Sequence, residues 1–290
     1  MSDICCMITD NGSYRPESTL SLRSLAERLG AKVGHQIHPV SLLHSTKIDP
    51  EKIGGIPAEI FEPFIKKMRK EGFNKFHVTP MFFGPSAAIK EYLLQRVEGL
   101  QKGGWTELEV YVAPCVVEPL DPADTRMAQI LVDNVYKTME EEGYTTPSVA
   151  LVDHGAPRKT VTDVRNHLAA QMRALLPEET FPHVGPCSME RRKEEEYAFN
   201  EPLLENVVGC EGYQNDVIIS MLFASPGRHA GPGGDVWEIC DEAATKHNKL
   251  RWKMTELCAK HEGLITILAE RFEQGMSSPP VCWAKVKHLY

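Results

Sequence analysis

The feature that most constrains this chain is that it repeats itself. The segment ICCMITDNGSYRP near the N-terminus has a counterpart in VALVDHGAPR, which aligns Asn11 with His154 at an offset of 143 residues. Ser45 in SLLHSTK then meets Ser188 in PCSMERR at the same offset, and Met81 in HVTPMFF meets Met221 in VIISMLF at an offset of 140. Three strand-to-loop junctions keep their order, and small changes of offset are what loop insertions and deletions produce. A chain built this way is expected to fold as two copies of one unit.

Within each copy, short apolar runs alternate with helical stretches. In the second they read VALVDHG, a helix over 161–175, HVGPCSM, a helix over 201–208, DVIISMLF and a helix over 235–246. In the first, the clearest helices are 17–29, 57–71 and 124–142, with Leu, Ala or Met recurring at three and four residues. Such alternation argues an α/β fold: two tandem flavodoxin-like lobes, each a small parallel sheet flanked by helices. The expected division is an N-terminal lobe at 1–144, a C-terminal lobe at 145–276 and an extension at 277–290 that packs across a lobe or a partner.

Composition narrows the function classes. With 42% hydrophobic and 25% charged residues and no apolar run near the roughly 20 residues of a membrane span, the chain reads as soluble and globular. A net charge of −8 argues against nucleic acid or an anionic membrane as a general partner, so an anionic ligand would need a local basic patch. The first residues already read as a strand rather than a signal peptide, which points to the cytoplasm, or to a plastid if a transit peptide has been removed. The eight cysteines contain no C-x-x-C pair, so buried thiols are expected, and an iron–sulfur cluster has no support from spacing.

Ligands of open parallel sheets bind beyond the carboxyl ends of the strands. His154 ends the first strand of the second copy, and His229 lies in SPGRHAGPGGD directly after the third. Two imidazoles on neighbouring loops suit a divalent first-row metal. Gly227, Gly231, Gly233 and Gly234 let a flat, bulky ligand approach the backbone. A Gly-rich loop can instead hold a phosphate, but this one lacks the ending of a P-loop and does not open a G-x-G-x-x-G unit.

The pattern HGAPR after a first strand, the segment SMERRKEEEYAFNEPLL, and a strand ending in FASPGRH together resemble the class II, CbiX-type sirohydrochlorin chelatases. The resemblance covers the second copy nearly end to end and the first more weakly. It implies a lyase that inserts a divalent metal, Fe2+ or Co2+, into sirohydrochlorin or a related cyclic tetrapyrrole on the route to siroheme or cobalamin. The metal is then substrate, no organic cofactor is expected, and His154 and His229 bind the incoming ion. The first copy departs at both points: Asn11 stands for the first histidine and Ala88 for the second.

Insertion removes two pyrrole protons and strips water from the metal, so the site needs ligands that let go and a base nearby. Glu190 is the carboxylate expected nearest the crevice, as third ligand or proton acceptor, or else as a helix-start charge facing water. Asp153 could orient His154, although neighbours in a strand point to opposite faces. An anionic tetrapyrrole calls for arginines: Arg158 and Arg228 first, then Arg191 and Arg192, with Ser188 and Gly227 as further substrate contacts. A carrier that binds tetrapyrrole or metal without inserting it, and a flavin- or phosphate-binding module, are the alternatives. The chain could act as a monomer or a homodimer.

Overall fold

The computed structural model describes residues 4–281 and contains two units, each built on its own parallel sheet. In the first unit, β1 (Ile4–Thr9) is followed by α1 (Pro16–Val33), β2 (Ile37–Ser41), β3 (Glu59–Ile60), α2 (Phe61–Lys70), β4 (Lys75–Pro80), α3 (Leu94–Lys102) and β5 (Glu109–Val112). The strand order is β3-β2-β1-β4-β5. Next come α4 (Arg126–Glu142), β6 (Ser148–Asp153), α5 (Lys159–Leu175), β7 (Val184–Ser188), β8 (Asp216–Met221), α6 (Asp235–Lys246), β9 (Arg251–Met254) and α7 (Glu262–Met276). In the second sheet the order is β7-β6-β8-β9.

Each element has a local cause. The central strands β1, β4, β6 and β8 are continuous apolar runs buried on both alternating faces, as parallel strands covered by helices require. α1 opens with Pro16 in its first turn, buries Leu22, Leu25, Ala26 and Leu29 along one stripe, and stops at Gly34 in the left-handed conformation. α4 stops the same way at Gly143.

The two sheets share one register. Cys6 pairs with Ile37 and Ile8 with Pro39; Val149 pairs with Val184 and Leu151 with Pro186. This places Ser41, not Ser45, opposite Ser188, because IHPVS and VGPCS both end on the serine. Likewise Phe76 and Val217 hold the same place beside the first strand, which sets Pro80 rather than Met81 against Met221. Counted by that register, Ala88 remains the counterpart of His229.

Three further expectations are corrected. The helix expected over 57–71 begins only at Phe61, because Glu59 and Ile60 extend the sheet beside β2. The helix expected over 201–208 is a single 3-10 turn at Leu204–Asn206, and Leu203 bridges to Ser188 as a rudimentary strand. The units also do not divide near residue 144: the second is Leu120–Leu264, and the first resumes at Ile265. α4 belongs to the second unit, where it packs on α5 and β8, and most of α7 belongs to the first, where the Phe272 ring lies tilted against His77 with centroids 4.5 Å apart. Val281 donates to Val110 O at 2.8 Å; the rest of the expected extension, 282–290, lies outside the described residues.

His77, on β4, is fully buried, and neither ring nitrogen has a hydrogen-bond partner. Burial pushes its imidazole down to about 4. Between pH 6.5 and that value the unfolded chain takes up a proton that the folded chain refuses, so stability is present above the window and falls as pH drops through it. His77→Ile, which installs the residue that the second unit carries as Ile218, is expected to remove about 2 kcal/mol of the stability loss between about pH 7 and about pH 4.5, measured by urea denaturation.

Candidate functional site

In the second unit β6 lies between β7 and β8, so the strand order reverses beside it. The loops after β6 and β8 flank that reversal, the place where open sheets bind ligands. The loop after β6 is fixed by Asp153. Its buried carboxylate accepts hydrogen bonds from the Ser188 hydroxyl at 2.6 Å and the Gly155 N–H at 3.1 Å, and the Arg165 guanidinium lies 3.7 Å away. Burial pushes the Asp153 carboxyl up, against the pull of Arg165.

Gly155 turns the chain at φ +90, and a Cβ there would lie 1.9 Å from Glu190 O. The loops after β6 and β7 therefore touch through backbone: Met189 N donates to Asp153 O at 2.8 Å and Glu190 N to His154 O at 3.2 Å. This contact sets Glu190 beside His154, with Oε1 3.5 Å from Nε2.

His229 comes from the loop after β8. Its ring centroid is 4.5 Å from that of His154, edge to face, so the two expected ligands are brought together. Its Nδ1 sits 2.6 Å from Asp235 Oδ2 in the first turn of α6, and His154 Nδ1 sits 3.1 Å from Gly155 O. An imidazole that donates from Nδ1 keeps the lone pair of Nε2 free, and in that tautomer each ring could offer Nε2 to a metal. The side chains of His154, Glu190 and His229 are 46%, 61% and 31% exposed, leaving the site open to water and ligand. Among the described residues no three His, Cys, Asp or Glu side chains converge closely enough to form a ready-made metal cage.

The remaining expected residues separate. Arg228 stands 77% exposed beside His229, with Nε 3.7 Å from Asp235, and Arg158 precedes α5 at the mouth of the His154 loop. Gly227 closes the His229 loop by donating to Ala230 O at 3.1 Å. Arg191 is tied to Glu201 at 2.7 Å, and Arg192 lies over the Tyr197 ring at 5.1 Å. Ser188, expected to touch substrate, is fully buried with its hydroxyl committed to Asp153 and Arg165, so it acts on the site only by holding Asp153. Asp153 in turn holds the loop and not the His154 ring.

Sequence reading missed Asp235, Arg165 and Asn200. Asp235 stands six residues after His229 at the start of an expected helix, which is a usable signal for a ring-orienting carboxylate. Arg165 carried no signal, since basic residues on helices usually face water. Of the cysteines, Cys210 is exposed and Cys5, Cys6, Cys115, Cys187, Cys240 and Cys258 are buried; burial pushes Cys5 up to about 12, which suits packing rather than metal ligation. Cys282 lies outside the described residues.

In the first unit the same loops carry different side chains. Leu42 N donates to Asp10 O at 2.8 Å and Leu43 N to Asn11 O at 3.2 Å, and Gly12 turns at φ +87. Asn11, Leu43 and Ala88 therefore replace His154, Glu190 and His229.

Two glycines give a contrast that tests this geometry. Gly155→Ala combines a left-handed conformation with a backbone clash and is expected to cost about 3 kcal/mol or more. Gly227→Ala meets nothing within 4 Å and is expected to stay within about 0.5 kcal/mol of the parent in denaturant melts.

No protein-family model and no curated protein matches the chain. Solved structures do. SirB from Bacillus subtilis with Fe3+ is 13% identical with a TM-score of 0.64, over 94% of this chain and 95% of that one. The sirohydrochlorin chelatase SirB from Bacillus subtilis subspecies spizizenii, in complex with cobalt, is 13% identical with a TM-score of 0.64, over 95% and 96%. CbiX, described as the terminal enzyme for biosynthesis of siroheme in denitrifying bacteria, is 12% identical with a TM-score of 0.58, over 93% and 98%. From end to end, this chain has the two-lobed fold of the sirohydrochlorin chelatases.

Proposed function

We propose that the protein is a metal chelatase that inserts a divalent ion, Fe2+ or Co2+, into sirohydrochlorin or a closely related tetrapyrrole, using the second unit. The observation that carries this reading is the pair His154 and His229, each hydrogen-bonded through Nδ1, side by side at the strand-order reversal with Glu190 at their edge.

The reaction exchanges two pyrrole protons for one metal ion. Two imidazoles and one carboxylate are enough to strip part of the ion's water and too few to trap it. His229 is the firmer ligand, because Asp235, 2.6 Å from its Nδ1, fixes the orientation of the ring. Glu190, exposed and 3.5 Å from His154, receives a pyrrole proton and passes it to water. Arg228 and Arg158 meet carboxylates of the macrocycle, with the Gly227 loop giving its flat face room to approach. The compartment follows the same reading as a soluble, cytoplasmic or plastid enzyme, acting as monomer or homodimer.

The test is the absorbance of sirohydrochlorin over time with Fe2+ or Co2+ supplied anaerobically. The parent is expected to accelerate insertion, His154→Ala and His229→Ala to fall to the uncatalysed rate, and Asp235→Asn to lose about 10- to 100-fold. Changes at Asn11 should leave the rate alone. Tight binding of sirohydrochlorin with insertion at the uncatalysed rate would replace this reading by that of a carrier.

A further inference from the structure

His229 takes its orientation from a carboxylate, whereas His154 leans on the backbone of its own loop, so what holds that backbone decides how the ring is presented. A carbonyl only accepts, so the bond from His154 Nδ1 to Gly155 O requires the proton on Nδ1. Gly155 O belongs to the same planar peptide unit as Ala156 N–H, and in a trans peptide the two point in opposite directions. Whatever fixes Ala156 N–H therefore aims the carbonyl that the ring binds.

That group is Asn200, which is fully buried. Its Oδ1 accepts from Ala156 N–H at 2.9 Å and its Nδ2 donates to Ala156 O at 3.0 Å, so one amide holds both backbone groups of Ala156. The amide is itself held: Thr162 Oγ1 donates to Oδ1 at 3.1 Å, Nδ2 also donates to Tyr197 O at 3.0 Å, and Arg165 donates to the Asn200 carbonyl at 2.8 Å. Turning the amide over would set donor against donor at Ala156 N–H and acceptor against acceptor at Ala156 O.

The preceding peptide unit is held by other groups. Between His154 and Gly155 it is fixed at both ends, by Asp153 on Gly155 N–H and by Glu190 N–H on His154 O. The unit between Gly155 and Ala156 has the His154 ring at one end and Asn200 at the other. Gly155 carries no Cβ to restrain its torsions, so Asn200 is what keeps this unit from turning. In the first unit Asn11 brings no ring to hold, and Ser13, 143 residues before Ala156, gives its N–H to Ser45 Oγ at 3.3 Å.

We infer that Asn200 is the positioning residue of His154, acting through one peptide unit as Asp235 acts directly on His229. It sets the place to which the ring returns and keeps the ring proton on Nδ1, which leaves Nε2 for the incoming ion. The bond to the ring is a neutral one, so the ring retains the freedom to swing that a charge-assisted bond would remove. The inference deepens the chelatase reading and rests on it for the identity of the ion and of the macrocycle.

The experiment combines long-range proton–nitrogen correlation spectra of the imidazole rings, titration of the full chain with Co2+ alone, and insertion kinetics. The parent is expected to show His154 as the Nδ1–H tautomer. Asn200→Ala should move His154 toward the Nε2–H tautomer that a free imidazole favours while His229 stays as it is, weaken Co2+ binding about tenfold, and lower kcat about tenfold at an unchanged KM for sirohydrochlorin. Val164→Ala, which opens a cavity on the buried face of α5, is the control for lost stability and should leave the tautomer and the Co2+ affinity at the parent values. An Nε2–H His154 in the parent, an unaltered tautomer in Asn200→Ala, or equal weakening by Val164→Ala would each overturn the inference. Should Asn200→Ala not fold, Asn200→Ser, whose hydroxyl cannot span both backbone groups of Ala156, takes its place. A parent that inserts no metal sinks the chelatase reading alone, since the tautomer and the Co2+ titration still decide the role of Asn200.

Discussion

A buried aspartate at the end of a first strand organises each unit. Asp153 takes a hydrogen bond from the turn that follows it, through Gly155 N–H, and another from the end of the neighbouring strand, through Ser188. Asp10 does the same with Gly12 and Ser41. Because the glycine in each turn lies against a carbonyl of the next loop, the two loops keep a fixed relation through backbone alone. Side chains two atoms away from this clasp can then change without disturbing it. That is why one skeleton carries His154 and Glu190 in one unit and Asn11 and Leu43 in the other.

The clasp is neutralised differently in the two copies. In the second, Arg165 offsets the cost of burying Asp153, and a buried pair of this kind is destabilising to break by about 3–5 kcal/mol because the surviving charge is left alone. In the first, Leu22 on α1 stands 143 residues before Arg165, as Asp10 does before Asp153, so that cation is missing, and desolvation holds the Asp10 carboxyl above the ordinary aspartate range. The first unit thus keeps the polar frame of the second with the charge taken out, at Asp10 as at the ligand positions. Asn11, Leu43 and Ala88 in place of His154, Glu190 and His229, and Leu22 in place of the buried arginine, are separate differences on separate elements, so the contrast between the units runs through the whole lobe rather than through one residue.

Much of this was legible in the sequence because it depends on local pattern. Apolar runs placed the central strands, and a histidine directly after such a run must emerge at the carboxyl end of the sheet, which located His154 and His229. What was not legible depends on geometry that pattern does not encode. The pairing of Ser41 with Ser188 is fixed by strand register, and a gap of four residues between α1 and β2 moved the apparent match to Ser45. The exchange of α4 and α7 between units follows from which sheet each apolar stripe covers, and two lobes of like architecture offer equivalent faces to either helix. Arg165 and Asn200 were invisible because a buried polar network is recognised only once its members are seen to satisfy one another.

The asymmetry of the histidine pair carries the functional reading furthest. His229 is held by a carboxylate at 2.6 Å, whereas His154 is held by the carbonyl of the next residue at 3.1 Å. Charge-assisted bonds are roughly twice as strong as neutral ones, so one ring is fixed and the other can swing. A site meant to keep a metal would close four ligands around it and orient each of them. Here a fixed ligand and a movable one stand together, with a solvated carboxylate at the movable ring. On the chelatase reading proposed above, an ion taken up by such a pair would lose its weaker protein ligand first, and the position opened would lie on the His154 side, next to the Glu190 carboxylate that would accept the proton displaced as a pyrrole nitrogen takes that place.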